Sequence, residues 1–174
     1  QQSFAIPQAS VAEIVRVDPS NPNEPGIETI HGAPVYRLRG RLLPLLFLAN
    51  ELVIGDDDAR IKEGLPVNIV VLSADGEQFG LVVHSVRDSL EIVVKPLGKH
   101  LGSLTVYAGA TVLGDGSVVL ILDALGLAER ANVLAGLSGQ AMGGANGAAA
   151  GRGSSENVGA NEPLLLVAGT DDGR

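Results

Sequence analysis

Cysteine and tryptophan are absent from this 174-residue chain, and its aromatic residues amount to two Tyr and three Phe. Without cysteine there is no disulfide framework and no thiolate metal site, which fits a reducing compartment. So few rings leave no stacking platform for bases or sugars. Positive charge is scarce too: 12 Lys and Arg stand against 20 Asp and Glu, giving a formal charge of -8 and a pI near 4.7. The cations are scattered, so nucleic acid is excluded as a partner. No apolar run is long enough to cross a bilayer, and no basic region followed by an apolar stretch and a small-residue cleavage site opens the chain. The expectation is a soluble, cytoplasmic protein with no direct membrane insertion.

The patterns that carry catalysis are also missing. His31, His84 and His100 lie far apart in sequence, and none has metal-ligand spacing to a carboxylate. Asp56, Asp57 and Asp58 lack the spaced oxygens and sharp glycine of a calcium loop and read as a solvated turn. Gly114 and Gly116 lie between strands instead of opening a helix, so they offer no helix N-terminus to a phosphate. No Gly-x-Ser-x-Gly elbow occurs. No catalytic, metal or cofactor-binding residue is assigned, and the chain is read as a non-enzymatic piece.

What the chain does contain is a succession of short apolar runs separated by turn residues. Ala110–Leu113 and Val118–Leu122 flank Gly114, Asp115 and Gly116, and Asp-Gly between such runs is a strong hairpin signal because the turn needs positive φ. Val118–Leu122 is apolar on both faces and is expected to be buried on both sides. Phe4 and Ile6 alternate as at the end of a strand. Val35–Leu48 reads as two strands joined near Arg39, Gly40 and Arg41, with Pro44 placing the second at an edge or a bulge. Leu65–Leu72 and Phe79–Val83 are joined across Asp75-Gly76, and Leu90–Lys95 follows a polar crossing over Ser85–Ser89. Ser10 and Glu13 have capping-box spacing and predict a short helix through Val11, Ile14 and Val15. Ala49–Leu52 predicts a helical turn, and Asp123 caps a helix running towards Leu134. At least seven strands with little helix mean an all-β barrel or sandwich.

Residues 1–134 form the expected folded domain. Residues 135–161, dominated by Gly and Ala, read as a flexible linker. Residues 162–174 are a strand followed by an Asp-Gly turn. That strand either starts a second domain or completes the first barrel by pairing with Gln2–Ile6, within the chain or by strand exchange in a homo-oligomer. Arg37, Arg39 and Arg41 stand out in an acidic chain. Alternation places all three on one face, where guanidinium forks meet a partner's carboxylates or simply balance neighbouring acids.

Five segments in order carry a resemblance: Phe4–Pro7 with Val11–Ile14, Arg37–Pro44, Phe79–Val83, Val94–Leu97, and Ala108–Asp123. Together they resemble the CheW-like domain of bacterial chemotaxis over Gln1 to about Leu127. The Lys95-Pro96-Leu97 and Gly109–Gly116 portions are more similar to the regulatory domain at the end of the CheA histidine kinase than to the free-standing CheW adaptor. Leu164–Arg174 looks like the opening of another such domain. The resemblance implies two small five-stranded β-barrel subdomains with one or two short helices. It also implies a non-catalytic scaffold that couples chemoreceptors and the CheW adaptor to histidine-kinase activity in a two-component phosphorelay. The implied partners are the cytoplasmic tips of chemoreceptors, at arrays under the membrane, and CheW-like adaptor domains. The kinase's phosphorylated histidine and ATP site lie in other domains. Family members carry an Arg-Gly pair at the receptor-contacting strand end, and Arg39-Gly40 occupy it here; Arg37 stands where many adaptors have Asn. The partner-binding set is therefore Arg37, Arg39, Gly40 and Arg41. An independent CheW-type adaptor is the neighbouring alternative. A β-barrel ligand carrier or enzyme is the distant one, and it would be marked by a deep pocket with convergent ionisable groups.

Overall fold

The structure, a computed structural model, describes residues 3–21, 24–54, 61–93, 105–130 and 161–168. In chain order it contains β1 (Ser3–Pro7), a 3₁₀ turn (Gln8–Ser10), β2 (Val11–Val17), β3 (Ile27–Ile30), β4 (Ala33–Leu38), β5 (Arg41–Phe47) and α1 (Leu48–Glu51). Then follow β6 (Val67–Ala74), β7 (Glu77–Val83), β8 (Ser85–Val93), β9 (Tyr107–Val112), β10 (Val118–Leu122), α2 (Ala124–Arg130) and β11 (Asn161–Ala168). The strands form two sheets, ordered β8-β11-β1-β10-β9 and β2-β6-β7-β5-β4-β3. The expected two-part all-β architecture is present. The second sheet has six strands where five were expected, because Ile27–Ile30 pairs along β4.

Strand side chains alternate between faces, and here both faces of the inner strands are apolar because each sheet lies between two cores. On β7, Phe79, Leu81 and Val83 enter a core shared by the two sheets, while Val82 enters a core enclosed by the six-stranded sheet. On β6, Val70 and Leu72 face the shared core, and Ile69 and Val71 the enclosed one. The five-stranded sheet repeats the pattern. Phe4 and Ile6 of β1 and Leu165 and Val167 of β11 point to the shared core. Ala5, Leu164 and Leu166 meet Val119 and Ile121 of β10 in a third, smaller core. Each fully buried Leu, Ile, Val or Phe contributes about 1.5–3 kcal/mol, so the shared layer dominates cohesion.

Several local expectations change. The capping-box helix is a strand: after the 3₁₀ turn, β2 runs antiparallel to β6 from Val11↔Leu72 to Val17↔Val67. Burial alternates along the strand, with Val11 and Val15 half-buried and Val17 buried, and pairing with β6 outweighs a two-residue capping signal. Pro44 is not on an edge strand, since β5 lies between β4 and β7. The two-residue Arg39-Gly40 turn makes Leu38/Arg41 and Tyr36/Leu43 the hydrogen-bonded pairs, so the nitrogen of Pro44, opposite Val35, faces away from β4. Pairing with β7 begins only at Leu45, so no ladder bond is lost. The polar stretch from Ser85 is the first part of β8, because β11 offers it a partner through Ala168↔Ser85 and Val167↔Val86.

The hairpin between β9 and β10 is present, but its loop is longer than two residues. The Leu113 N–H donates to the Ser117 carbonyl at 2.8 Å, and only Gly116 has positive φ, +84°. The Ser117 hydroxyl and N–H both donate to the Asp115 carboxylate, which holds its pKa below the ordinary value. Val118 is 68% exposed, so burial on both faces begins only at Val119. Asp123 caps α2 as expected, accepting from the Leu125 N–H at 2.9 Å. The expected stretch from Ala131 to Leu134, the 97–104 segment and the Asp56–Asp58 run lie outside the described residues. Leu164–Leu166 and neighbouring residues pair with β1 within the chain, Phe4↔Val167 and Ile6↔Leu165 among them.

Two backbone features generate tests. At the end of α1, the Ile54 N–H donates to the Ala49 carbonyl at 2.9 Å, closing a Schellman-type cap in which Val53 takes the left-handed position at φ +56°. Val53 is 85% exposed, so its side chain offsets little of the strain that a β-branched residue carries there. Val53→Gly is expected to stabilise by about 0.5–1 kcal/mol, read as a rise in Tm; a fall would show that the valine packs. In α2, a Cβ on Gly126 would overlap the carbonyl oxygen of Thr105. Gly126→Ala should therefore destabilise by about 1–3 kcal/mol despite alanine's better helix propensity, and a denaturation midpoint equal to wild type would show that α2 can shift.

Candidate partner-binding surface

The β4–β5 turn projects from one end of the six-stranded sheet. Both central residues have positive φ, Arg39 at +49° and Gly40 at +84°, the type I′ geometry that matches strand twist. The turns at His31-Gly32 and Asp75-Gly76 have the same φ pattern. Aspartate tolerates the left-handed region through local hydrogen bonding, whereas arginine gains nothing from it. Arg39 is thus held in a strained conformation on an exposed turn. Such strain points from the outlier towards function.

The turn determines where the three arginines go, and it separates them. Leu38 and Arg41 are register partners and share one face; Arg37 and Leu42 are partners on the other. The expectation of all three on one face therefore fails, because two turn residues break the strand alternation. Arg37 bridges to Glu28 of β3 at 3.6 Å. The Arg39 guanidinium donates to the Glu13 carboxylate of β2 at 2.8 Å, with its own side chain 78% exposed. Arg41 makes no ion pair among the described residues.

Arg39 and Arg41 line an open cleft of about 550 Å³ together with Glu13, Leu42, Glu77 and Gln78. Its walls come from β2, the β4–β5 turn and the β6–β7 hairpin. Leu42 remains 39% exposed, and Leu38 lines the same cleft. Cationic forks beside uncovered aliphatic side chains suit an acidic, partly apolar protein surface. Glu13 was missed as a site residue because its spacing from Ser10 assigned its side chain to a helix cap. The contributions of Glu77 and Gln78 depend on long-range packing, which leaves no local signal. His31 is in an exposed turn, His84 follows β7, and His100 lies outside the described residues. Among the described residues no three His, Cys, Asp or Glu side chains gather into a group that could hold a metal, and no helix is long and apolar enough to cross a membrane.

Two sheets thus clasp a common apolar layer, and charged and aliphatic groups are displayed on a corner turn. The chain belongs to the CheW-like domain family, whose model matches residues 1–132. It is 33% identical over 123 residues to the sensor histidine kinase CheAY of Helicobacter pylori, and equally so to the chemotaxis protein CheA of Bacillus subtilis. These matches cover 71% of this chain and only 14% and 17% of those proteins. The fold is similar to that of the scaffolding protein TtCheW from Thermoanaerobacter tengcongensis, with a TM-score of 0.54 at 19% identity, over 74% of this chain and 86% of that one.

The strain on the turn can be weighed directly. Relief of a left-handed residue, about 1–2 kcal/mol, exceeds an exposed ion pair, about 0–1 kcal/mol. Arg39→Asn is therefore expected to raise stability by about 0.5 kcal/mol although it removes the Glu13 contact. A loss of more than about 1 kcal/mol in chemical denaturation would show that the contact fastens β2 to the turn.

Proposed function

We propose that this chain is a non-catalytic docking domain of a chemotaxis signalling kinase, coupling chemoreceptors and a CheW-type adaptor to histidine-kinase activity in a cytoplasmic array. The observation that carries this reading is the Arg39-Gly40 turn, an exposed arginine kept in a strained conformation beside Arg41 and Leu42; the sequence resemblance likens this pair to the family's Arg-Gly. Arg39, Gly40 and Arg41 meet the receptor tip in this reading, while Arg37, engaged with Glu28, orients β3 and β4 at its border. The adaptor docks against sheet edges, for which β9 offers a terminal strand with Val112 and Val118 exposed side by side. The phosphorylated histidine and the ATP site belong to other domains of the kinase. Residues 1–134 form the docking unit, 135–161 a tether, and 162–174 the strand that completes it.

The Arg39–Glu13 pair gives the test a sign in both directions. Arg39→Glu places like charges together and should weaken binding to a receptor-tip fragment at least tenfold, about 1.4 kcal/mol, with Tm within a few degrees of wild type. Glu13→Gln frees the guanidinium from its internal competitor and should strengthen the same binding about two- to fivefold, within the range of an exposed pair. Titration calorimetry with the receptor-tip fragment reads both. Unchanged affinity in both folded variants would remove the turn from the interface, and failure of the folded wild type to bind either receptor tip or adaptor would remove the proposal itself.

A further inference from the structure

We propose that β11 is an exchangeable donor strand, and that the slot it fills between β1 and β8 accepts the same strand from a second copy of this chain. The slot is the most demanding position in the five-stranded sheet. β11 pairs antiparallel with β1 from Ser3↔Ala168 to Pro7↔Leu164, and with β8 from Ser85↔Ala168 to Val93↔Asn161. Leu164, Leu165, Leu166, Val167 and Ala168 are all buried. Leu165 and Val167 complete the core shared by the two sheets, while Leu164 and Leu166 complete the small core against Val119 and Ile121. An empty slot would open both cores at once and leave two unpaired strand edges, so it must be filled.

Nothing in the contacts requires the filling strand to be the chain's own. Residues 131–160, rich in Gly, Ala, Ser and Asn, separate α2 from β11. Thirty residues can reach at most ~100 Å, so their number alone lets β11 fill its own slot or that of a neighbouring copy. The β1 and β8 contacts are identical in the closed and exchanged forms, so their energies cancel. The balance is set by the effective concentration of β11 within its own chain, on the order of millimolar for a covalently connected segment, against the concentration of other copies. Reciprocal exchange closes a two-fold dimer, and one-way donation builds an open chain. Either outcome ties neighbouring domains together through main-chain pairing, independently of the Arg39 surface.

The absence of cysteine makes the test direct. Chains carrying Ser3→Cys are mixed with chains of different mass carrying Ala168→Cys, unfolded and refolded together, oxidised, and separated by mass. The expected product is a disulfide-linked pair containing one of each chain, its share rising about in proportion to concentration up to ~1 mM. The Ser3→Cys/Ala168→Cys double variant, refolded at low concentration, should close within one chain. Closure there without any mixed product at ~1 mM would overturn the proposal. Sedimentation of the unaltered chain after refolding gives an independent reading: a dimer share that grows with concentration supports exchange, and a monomer throughout overturns it.

Discussion

Phe4 and Ile6 on β1, Leu165 and Val167 on β11, and Phe79, Leu81 and Val83 on β7 meet in one apolar layer between the two sheets. β1, β5, β6, β7, β10 and β11, which contribute to this layer, also present apolar side chains on their reverse faces, where each sheet encloses a core of its own. Period-two alternation thus divides one run of residues between two cores, and a register slip by one residue would exchange the two sets. The fit on the reverse face is tight. A Cβ on Gly80 would lie 2.6 Å from both Ile69 Cγ2 and Leu45 Cδ2, so only glycine lets β7 pass between β5 and β6 at this register. The two helices are accessories to the same layer: α1 adds Leu48, and α2 adds Leu127 and Ala128.

Such doubly buried strands leave little surface for chemistry, so display falls to the turns. At Asp75-Gly76 a turn-tolerant residue accompanies the required glycine; at Arg39-Gly40 it does not. The rest of the six-stranded sheet supplies the rigidity that keeps Arg39 left-handed, through Tyr36 and Leu43 packed immediately behind the turn. Burial pushes the Tyr36 phenol above its ordinary pKa, with the Glu24 carboxylate adding to the effect, so this anchor stays neutral. A well-fastened hairpin can hold one strained residue at its tip, and the tip is where a partner would reach it.

Most of the strands and two of the three two-residue hairpin turns of the six-stranded sheet were legible in the sequence, because Asp75-Gly76 and Arg39-Gly40 sit between apolar runs and fix registers through short-range geometry, whereas β3 and its His31-Gly32 turn were not anticipated. Two of the errors share a cause in long-range pairing. Val11–Val17 carries a capping pattern, but β6 offers it six residues of edge, Val67–Leu72. Ser85 and its neighbours look polar and loop-like, but β11, more than seventy residues downstream, turns them into strand. The candidate surface was half legible for the same reason. The Arg39-Gly40 turn is local, whereas Glu13 and the β6–β7 residues beside it arrive through sheet order alone.

The placement of β11 separates two kinds of connection that this fold uses. Tight turns such as Arg39-Gly40 set register and position side chains, and changing their length would reset a face. The connection into β11 sets neither, since that strand's register is determined by the buried sequence Leu164–Ala168 lying against β1 and β8 on its two sides. Specificity there resides in the strand and its slot. The Arg39-Gly40 turn and the β11 slot lie in different sheets, so neither depends on the other's connectivity.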